Sequence, residues 1–315
     1  MDKRKLGNTG FDVSPIVFGG NVFGWTIDEP TSFKILDEFF AAGGNFIDTA
    51  DIYSRWKPGN QGGESETIIG NWLKRAGNRH KLVIVTKVGM DMGDGKTGLR
   101  KAHIIQSAED SLKRLQCDYI DLYLSHTDDP TAPLEETLAA YQQLIKQGKV
   151  RAIGASNYKA DRLAQALAIS QEYDLPRYEV LQTQYNLYDR SDFELELEPF
   201  CVQNQISMIS YWSLAKGFLT GKYRSESDLN KSVRGEGVRK YLNDRGFRIL
   251  AALDKIAAKY NAQPASIALA WLLARPSVTA PIASATSLPQ LESLIAATQI
   301  HLDNEAIEQL NQASA

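Results

Sequence analysis

The chain has 315 residues, enough for two ordinary domains or one large α/β domain. Its 43% apolar and 23% charged residues exclude bulk disorder and fibrous repeats. With 35 Lys and Arg against 38 Asp and Glu, the net charge of −3 argues against a nucleic-acid partner, and no apolar run reaches the roughly 20 residues of a membrane helix.

The opening Met1-Asp2-Lys3-Arg4-Lys5 has no apolar stretch behind it, so no secretory leader is expected. Cys117 and Cys201 form no CxxC pair and read as reduced thiols of a cytoplasmic protein.

In chain order, residues 3–14, with Gly7-Asn8-Thr9-Gly10 at the turn, predict a β-hairpin. Short β-branched runs then predict strands at 16–19, 45–48, 82–87, 119–126, 151–156, 180–184, 206–211 and 278–283. Helical spacing falls between them, at 31–42, 64–76, 100–115, 134–147, 160–170, 192–204, 246–260 and 264–273. Gly43 and Gly44, Gly77 and Gly148 stand where helices need a left-handed closing residue. Residues 212–245 read as a long polar loop after the seventh strand, and 303–313 as an extra C-terminal helix capped by Asp303.

Strands that alternate with helices pair in parallel through right-handed crossovers. Leu82-Val83-Ile84-Val85 and Ile153-Gly154-Ala155 are apolar on both faces, as a sheet covered by helices requires. Eight successive units predict an α/β fold of the (β/α)8 TIM barrel kind, one domain over 1–315. The rival is an open doubly wound sheet, which carries a GxGxxG turn opening a helix. Here Gly19-Gly20-Asn21-Val22-Phe23-Gly24 leads into no predicted helix.

Chemistry in such a barrel sits at the C-terminal strand ends. Those ends carry Asp48 with Tyr53 five residues on, then Lys87, His126, Ser156-Asn157, Gln182, Tyr211 and Ser284-Ala285-Thr286-Ser287. A free tyrosine, with pKa about 10, is a poor acid at neutral pH. A neighbouring ammonium is expected to lower that pKa, and an aspartate paired with the lysine keeps the lysine charged. A neutral histidine can donate to a carbonyl oxygen. Asp, Tyr, Lys and His together therefore suit protonation of an oxygen on which negative charge grows. None of them supplies electrons, so a reduction needs a hydride-carrying cofactor. A rival use of Lys87 as a Schiff-base nucleophile in an aldolase barrel leaves the Asp48–Tyr53 spacing and the Ser156-Asn157 pair without a role.

The chain resembles the aldo-keto reductase superfamily over nearly its whole length. The resemblance rests on Leu6-Gly7-Asn8-Thr9-Gly10, Phe46-Ile47-Asp48-Thr49-Ala50-Asp51-Ile52-Tyr53, Thr86-Lys87 and Asp121-Leu122-Tyr123-Leu124-Ser125-His126. It continues through Gly154-Ala155-Ser156-Asn157 and Gln182-Thr183-Gln184-Tyr185-Asn186-Leu187. Leu214-Ala215-Lys216-Gly217-Phe218-Leu219-Thr220-Gly221-Lys222-Tyr223 makes the chain similar to bacterial reductases related to potassium-channel β subunits.

The resemblance implies NADPH-dependent reduction of small aldehydes or ketones without a Rossmann domain. Asp48, Tyr53, Lys87 and His126 fall on the catalytic tetrad, with Tyr53 as proton donor, Lys87 and Asp48 tuning it, and His126 orienting the carbonyl. Ser156, Asn157 and Gln182 match residues that bond the nicotinamide carboxamide, and Tyr211 matches the aromatic stacked on its ring. Leu214, Lys216 and Gly217 match the loop over the pyrophosphate, with Lys222 beyond it, and Ser284, Ala285, Thr286 and Gln290 match the adenosine end.

Two departures stand out. Trp212-Ser213 replaces a common Ser-Pro, and no cation lies within 284–290, where relatives hold the 2′-phosphate, so NADH stands beside NADPH as a cofactor. Leu294 also stands where an Asn is common.

Trp25, Trp56 and Trp212 are expected at the substrate pocket, and Trp72 and Trp271 in the core. His80, His103 and His301 lack ligand-spaced partners, so no metal site is expected. Residues 216–245 hold eight basic and four acidic side chains, a basic loop suited either to folding over phosphates or to lying solvated. The alternative function is a non-catalytic, cofactor-sensing regulatory subunit resembling channel β subunits. The oligomeric state is left open.

Overall fold

The computed structural model describes residues 1–315. Strands β1 (Arg4–Lys5) and β2 (Asp12–Val13) form the antiparallel hairpin. Eight parallel strands close into a barrel: β3 (Val17–Gly19), β4 (Phe46–Asp48), β5 (Val83–Val88), β6 (Ile120–Ser125), β7 (Val150–Ser156), β8 (Val180–Gln184), β9 (Ser207–Tyr211) and β10 (Val278–Ala283). Strand β10 pairs with both β9 and β3, so no sheet edge remains, and the open-sheet rival is excluded.

The outer ring is built of α1 (Glu29–Ala41), α2 (Glu64–Ala76), α3 (Lys101–Leu115), α4 (Leu134–Lys146), α5 (Ala160–Glu172), α6 (Glu198–Gln203), α7 (Asp244–Tyr260), α8 (Pro264–Leu273), α9 (Leu288–Ala297) and α10 (Asn304–Ala313). Local chemistry explains the boundaries. Asp28, Asn243 and Asp303 each cap a helix by accepting a backbone N–H, and Gly77 closes α2 in the left-handed conformation.

Alternation along the strands sorts side chains into two layers. Val17, Phe46, Val83, Val85, Leu122, Leu124, Ala152, Val180, Ile209, Ala280 and Ile282 share one apolar cluster inside the barrel. Leu6, Phe11 and Val13 of the hairpin segment belong to the same cluster, so the hairpin plugs the end of the barrel away from the strand C-termini. Ile47, Ile84, Tyr123, Ile153 and Leu181 point the other way and pack in the larger cluster between strands and helices. That cluster also contains the buried Trp72 and Trp271, as expected.

Three readings are corrected. Helix α9 was not among the predicted helices; Pro289 in its first turn is tolerated because that N–H needs no intrahelical partner. The helix predicted over 192–204 begins with a π-helical turn, Phe193–Leu197, before α6. Residues 212–245 are ordered, with 3-10 segments at Ala215–Thr220, Glu226–Lys231 and Gly235–Tyr241. We call them the strap. Leu229, Val238 and Tyr241 are buried beneath it, which the solvated-loop reading does not accommodate. No helix is long and apolar enough to cross a membrane, and both cysteines are free.

Candidate active site

The inward parity of the barrel interior continues past the last apolar layer. Asp48 is two residues beyond Phe46, Lys87 two beyond Val85, His126 two beyond Leu124, and Gln182 two beyond Val180. Tyr211 is likewise two beyond Ile209, and Ser284 two beyond Ile282. Polar groups that follow buried apolar positions are thereby aimed at one mouth.

Lys87 is fully buried, and its Nζ donates to Asp48 Oδ2 at 2.8 Å, the Thr49 carbonyl at 2.7 Å and Tyr53 Oη at 2.8 Å. Asp48 Oδ1 lies 2.7 Å from the same ammonium and accepts from Gln182 Nε2 at 2.8 Å. The Tyr53 hydroxyl donates to Asp48 Oδ2 at 3.0 Å. Every Lys87 donor is occupied, so the amine is not presented as a Schiff-base nucleophile. The His126 ring lies 6.0 Å from that of Tyr53, centroid to centroid, and its buried Nδ1 has no partner within the protein.

The electrostatics correct one expectation. Tyr53 is held well above the ordinary phenol pKa, first by burial and then by the Asp48 carboxylate, rather than lowered by Lys87. Lys87 and Asp48 form a locally neutral pair, so little net positive charge is left to stabilise a phenolate. Burial pulls the Lys87 ammonium down while Asp48 opposes that shift. His126 falls well below the usual imidazole value, first through burial and then through the Lys87 charge, and is neutral at pH 7 as expected.

Asp48, Tyr53 and His126 open onto a cavity of about 1650 Å³, with Lys87 buried behind them. Pockets for one small ligand run to about 1000 Å³, so this one has room for a dinucleotide and a second molecule. Ser156, Asn157, Gln182, Tyr211, Trp212, Leu214, Lys216, Gly217, Lys222, Ser284, Thr286, Gln290 and Trp56 line it, along with Asp48, Tyr53 and His126. Asn157 is left-handed at φ 59° and ties the mouth together. Its amide donates to the His126 carbonyl at 2.9 Å and accepts from Tyr211 Oη at 2.7 Å.

Two predicted site residues lie elsewhere. Ala285 is fully buried in the core behind the wall, because the strand parity that aims Ser284 inward turns the next side chain away. Trp25 stands one ring back, edge-on to Trp56 at 5.4 Å, while Asn21, Val22 and Thr26 of its loop reach the cavity instead.

The structure adds residues that sequence reasoning did not single out, notably Arg234 and Ser232 of the strap and Ser293 and Glu292 of α9. In the sequence Arg234 is one of eight strap cations with nothing to set it apart, and the α9 face is not predicted because the helix itself is not.

The cavity's features fit a nicotinamide dinucleotide. Trp212, Ala215 and Lys216 are left-handed, with φ of 48°, 47° and 58°, and Gly217 follows at 99°, a conformation that suits glycine. Strain concentrated in one loop is a feature found at ligand clamps. At the far end, Ser287 makes no side-chain cap to α9, so the helix N-terminus keeps N–H groups for a polar ligand beside Thr286 and Gln290.

A closed parallel barrel with an Asp, Tyr, Lys and His cluster and a dinucleotide-sized cavity at its C-terminal mouth defines a barrel oxidoreductase. Residues 15–315 match the family model described as the aldo/keto reductase family, and the chain belongs to that family of carbonyl-converting oxidoreductases. It is 34% identical over 319 residues to "Uncharacterized oxidoreductase YrpG" of Bacillus subtilis, covering 99% of this chain and 95% of that protein. It is 30% identical to "Probable voltage-gated potassium channel subunit beta" of Arabidopsis thaliana, covering 95% and 92%. It is also 30% identical to "Aryl-alcohol dehydrogenase [NADP(+)]" of Phanerodontia chrysosporium, covering 96% and 83%.

Proposed function

We propose that the chain reduces aldehydes or ketones to alcohols, with NADPH as hydride source and Tyr53 as proton donor. The observation that carries this reading is the contact of one buried ammonium, Lys87, with both Asp48 and the Tyr53 hydroxyl at the barrel mouth. The neutral Lys87–Asp48 unit leaves the phenol protonated until a more basic oxygen arrives. Rotation about the phenol C–O bond then turns its hydrogen from Asp48 toward the cavity, while Lys87 Nζ keeps its hydrogen bond to the oxygen left behind. His126, uncharged and lining the cavity, donates to the carbonyl and fixes its orientation. The reduced nicotinamide, when bound, supplies the hydride.

Ser156, Asn157 and Gln182 would hold its carboxamide, and Tyr211 its ring. Lys216 and Lys222, around Leu214 and Gly217, would hold its phosphates, and Ser284, Thr286 and Gln290 its adenosine end. The α9 wall offers no cation to a 2′-phosphate and carries Glu292. NADH is therefore expected to bind within about tenfold of NADPH, a difference of about 1.4 kcal/mol.

The test is a titration of tryptophan fluorescence with each reduced cofactor, followed by turnover with a panel of aldehydes and ketones. Saturable quenching is expected from Trp56 and Trp212, together with alcohol formed in step with cofactor consumed. Saturable binding without turnover of any carbonyl would instead favour the cofactor-sensing regulatory reading.

A further inference from the structure

The strap's cations divide into two groups. Arg224 pairs with Asp254, Lys231 with Asp228, Arg239 with Glu226 and Glu236, and Lys240 with Asp189, while Arg245 bonds the backbone oxygens of Ser314 and Ala315. Lys216, Lys222 and Arg234 have no carboxylate partner, and all three line the cavity.

These three are not equivalent. Lys216 Nζ sits 4.1 Å from the centre of the Trp212 ring, and a Cβ built on Gly217 would lie 3.7 Å from Lys222 Nζ, so both ammonium groups surround the loop assigned above to the phosphates. The Arg234 guanidinium lies instead 4.9 Å over Trp25. Trp25 abuts Trp56, and Trp56 packs at 5.9 Å on Tyr53. Arg234 and Tyr53 are near enough for each to influence the other's ionisation.

Its Nη2 is buried and makes no hydrogen bond, and no other side-chain nitrogen of Arg234 is bonded within the protein. The acidic residues of the cavity offer it nothing, since Asp48 is held by Lys87 and Glu292 belongs to the α9 wall. A desolvated guanidinium without a partner is costly, and its planar fork matches a carboxylate.

We propose that Arg234 selects carbonyl substrates that carry a carboxylate, holding that group beside Trp56, with Trp25 behind, while the aldehyde or ketone meets Tyr53 and His126. This inference rests on the carbonyl-reduction reading above.

The test compares 3-formylbenzoate and 4-formylbenzoate with their methyl esters, which keep the aldehyde and remove the charge. For the full chain with NADPH, kcat/KM is expected to favour an acid over its ester by about tenfold or more. In Arg234→Leu the acid-to-ester ratio is expected to fall by about 10- to 100-fold, and Arg234→Lys should restore part of it. Raising the salt concentration should lower the wild-type ratio, because the contact is charged. Thermal melting and NADPH titration of both variants check folding and cofactor binding.

A ratio near one in the wild type, or one unchanged in Arg234→Leu, overturns the proposal. An unchanged ratio with weakened NADPH binding would assign the guanidinium to the phosphates. If wild type reduces neither acids nor esters while binding NADPH, the carbonyl-reduction reading itself falls, and this inference with it.

Discussion

Lys87 and Asp48 are buried at the barrel mouth, where an isolated charge would be severely penalised. The cost is offset because both carboxylate oxygens meet the ammonium and each carries a second bond, one from Gln182 and one from Tyr53. Lys87→Met is therefore expected to lower unfolding free energy by about 3–5 kcal/mol, by stranding Asp48. The double variant Asp48→Asn with Lys87→Met should recover most of that stability in urea denaturation, yet no carbonyl reduction. Recovery of turnover with stability would mean that the pair serves folding alone. The residue scale also shows why sequence reasoning put the Tyr53 pKa on the wrong side. The lysine was visible, but the extent of burial and the cancelling charge of Asp48 belong to three-dimensional packing.

At the scale of elements, the strap is packed rather than solvated, a point its composition left undecided. Its aromatic rings at Phe218 and Tyr241 stack at 5.4 Å, Tyr223 and Ser232 share a hydrogen bond of 2.7 Å, and Arg224 grips Asp254 of α7 through two nitrogens. Asp189, in the loop after β8, anchors the far end by accepting from Tyr241 Oη at 2.8 Å, Lys240 Nζ at 3.2 Å and Asn186 Nδ2 at 3.1 Å. Asp189→Ala leaves the partly buried Tyr241 hydroxyl and Asn186 amide without that acceptor, a local cost of about 1–3 kcal/mol. Trypsin should then cut within 216–245 about tenfold faster or more. The global melting temperature should move little, because the strap is not part of the barrel. Unchanged cleavage, followed by mass spectrometry, would show that Asp189 does not hold the strap. Helix α9 makes the complementary point. Leu288, Leu291 and Ile295 carry a helical repeat, but the run was read only as the end of a binding loop, and the Ser293 and Glu292 wall was lost with it.

For the whole molecule, the barrel was legible because its strands are short, apolar on both faces and separated by stretches of helical spacing. The mouth was legible because strand ends must carry the chemistry in this architecture. Ring order, strap order and the partners of each cation were not legible, since they depend on which side chains meet across large sequence distances. Behind Lys87, the barrel also stores a buried carboxyl, Asp51, whose Oδ1 has no partner. Burial first, and then the Glu66 charge, push its pKa up to about 8. A raised native pKa means that the folded chain holds this proton where the unfolded chain has lost it. The stabilisation is full below the unfolded value near 3.9 and is lost as pH rises toward 8. Between pH 5 and pH 8 the wild-type melting temperature should fall by about 2 °C or more beyond that of Asp51→Asn. Parallel pH profiles for the two proteins would show that Asp51 is ionised throughout.

The most direct measurement is rapid mixing of Tyr53→Phe, preloaded with NADPH, with an aldehyde that the wild type reduces. Fluorescence should report NADPH bound nearly as tightly as in the wild type, and nicotinamide oxidation in a single turnover should slow by about 100- to 10,000-fold, the contribution of a positioned proton donor. Oxidation at the wild-type rate would contradict the assignment of Tyr53 as proton donor.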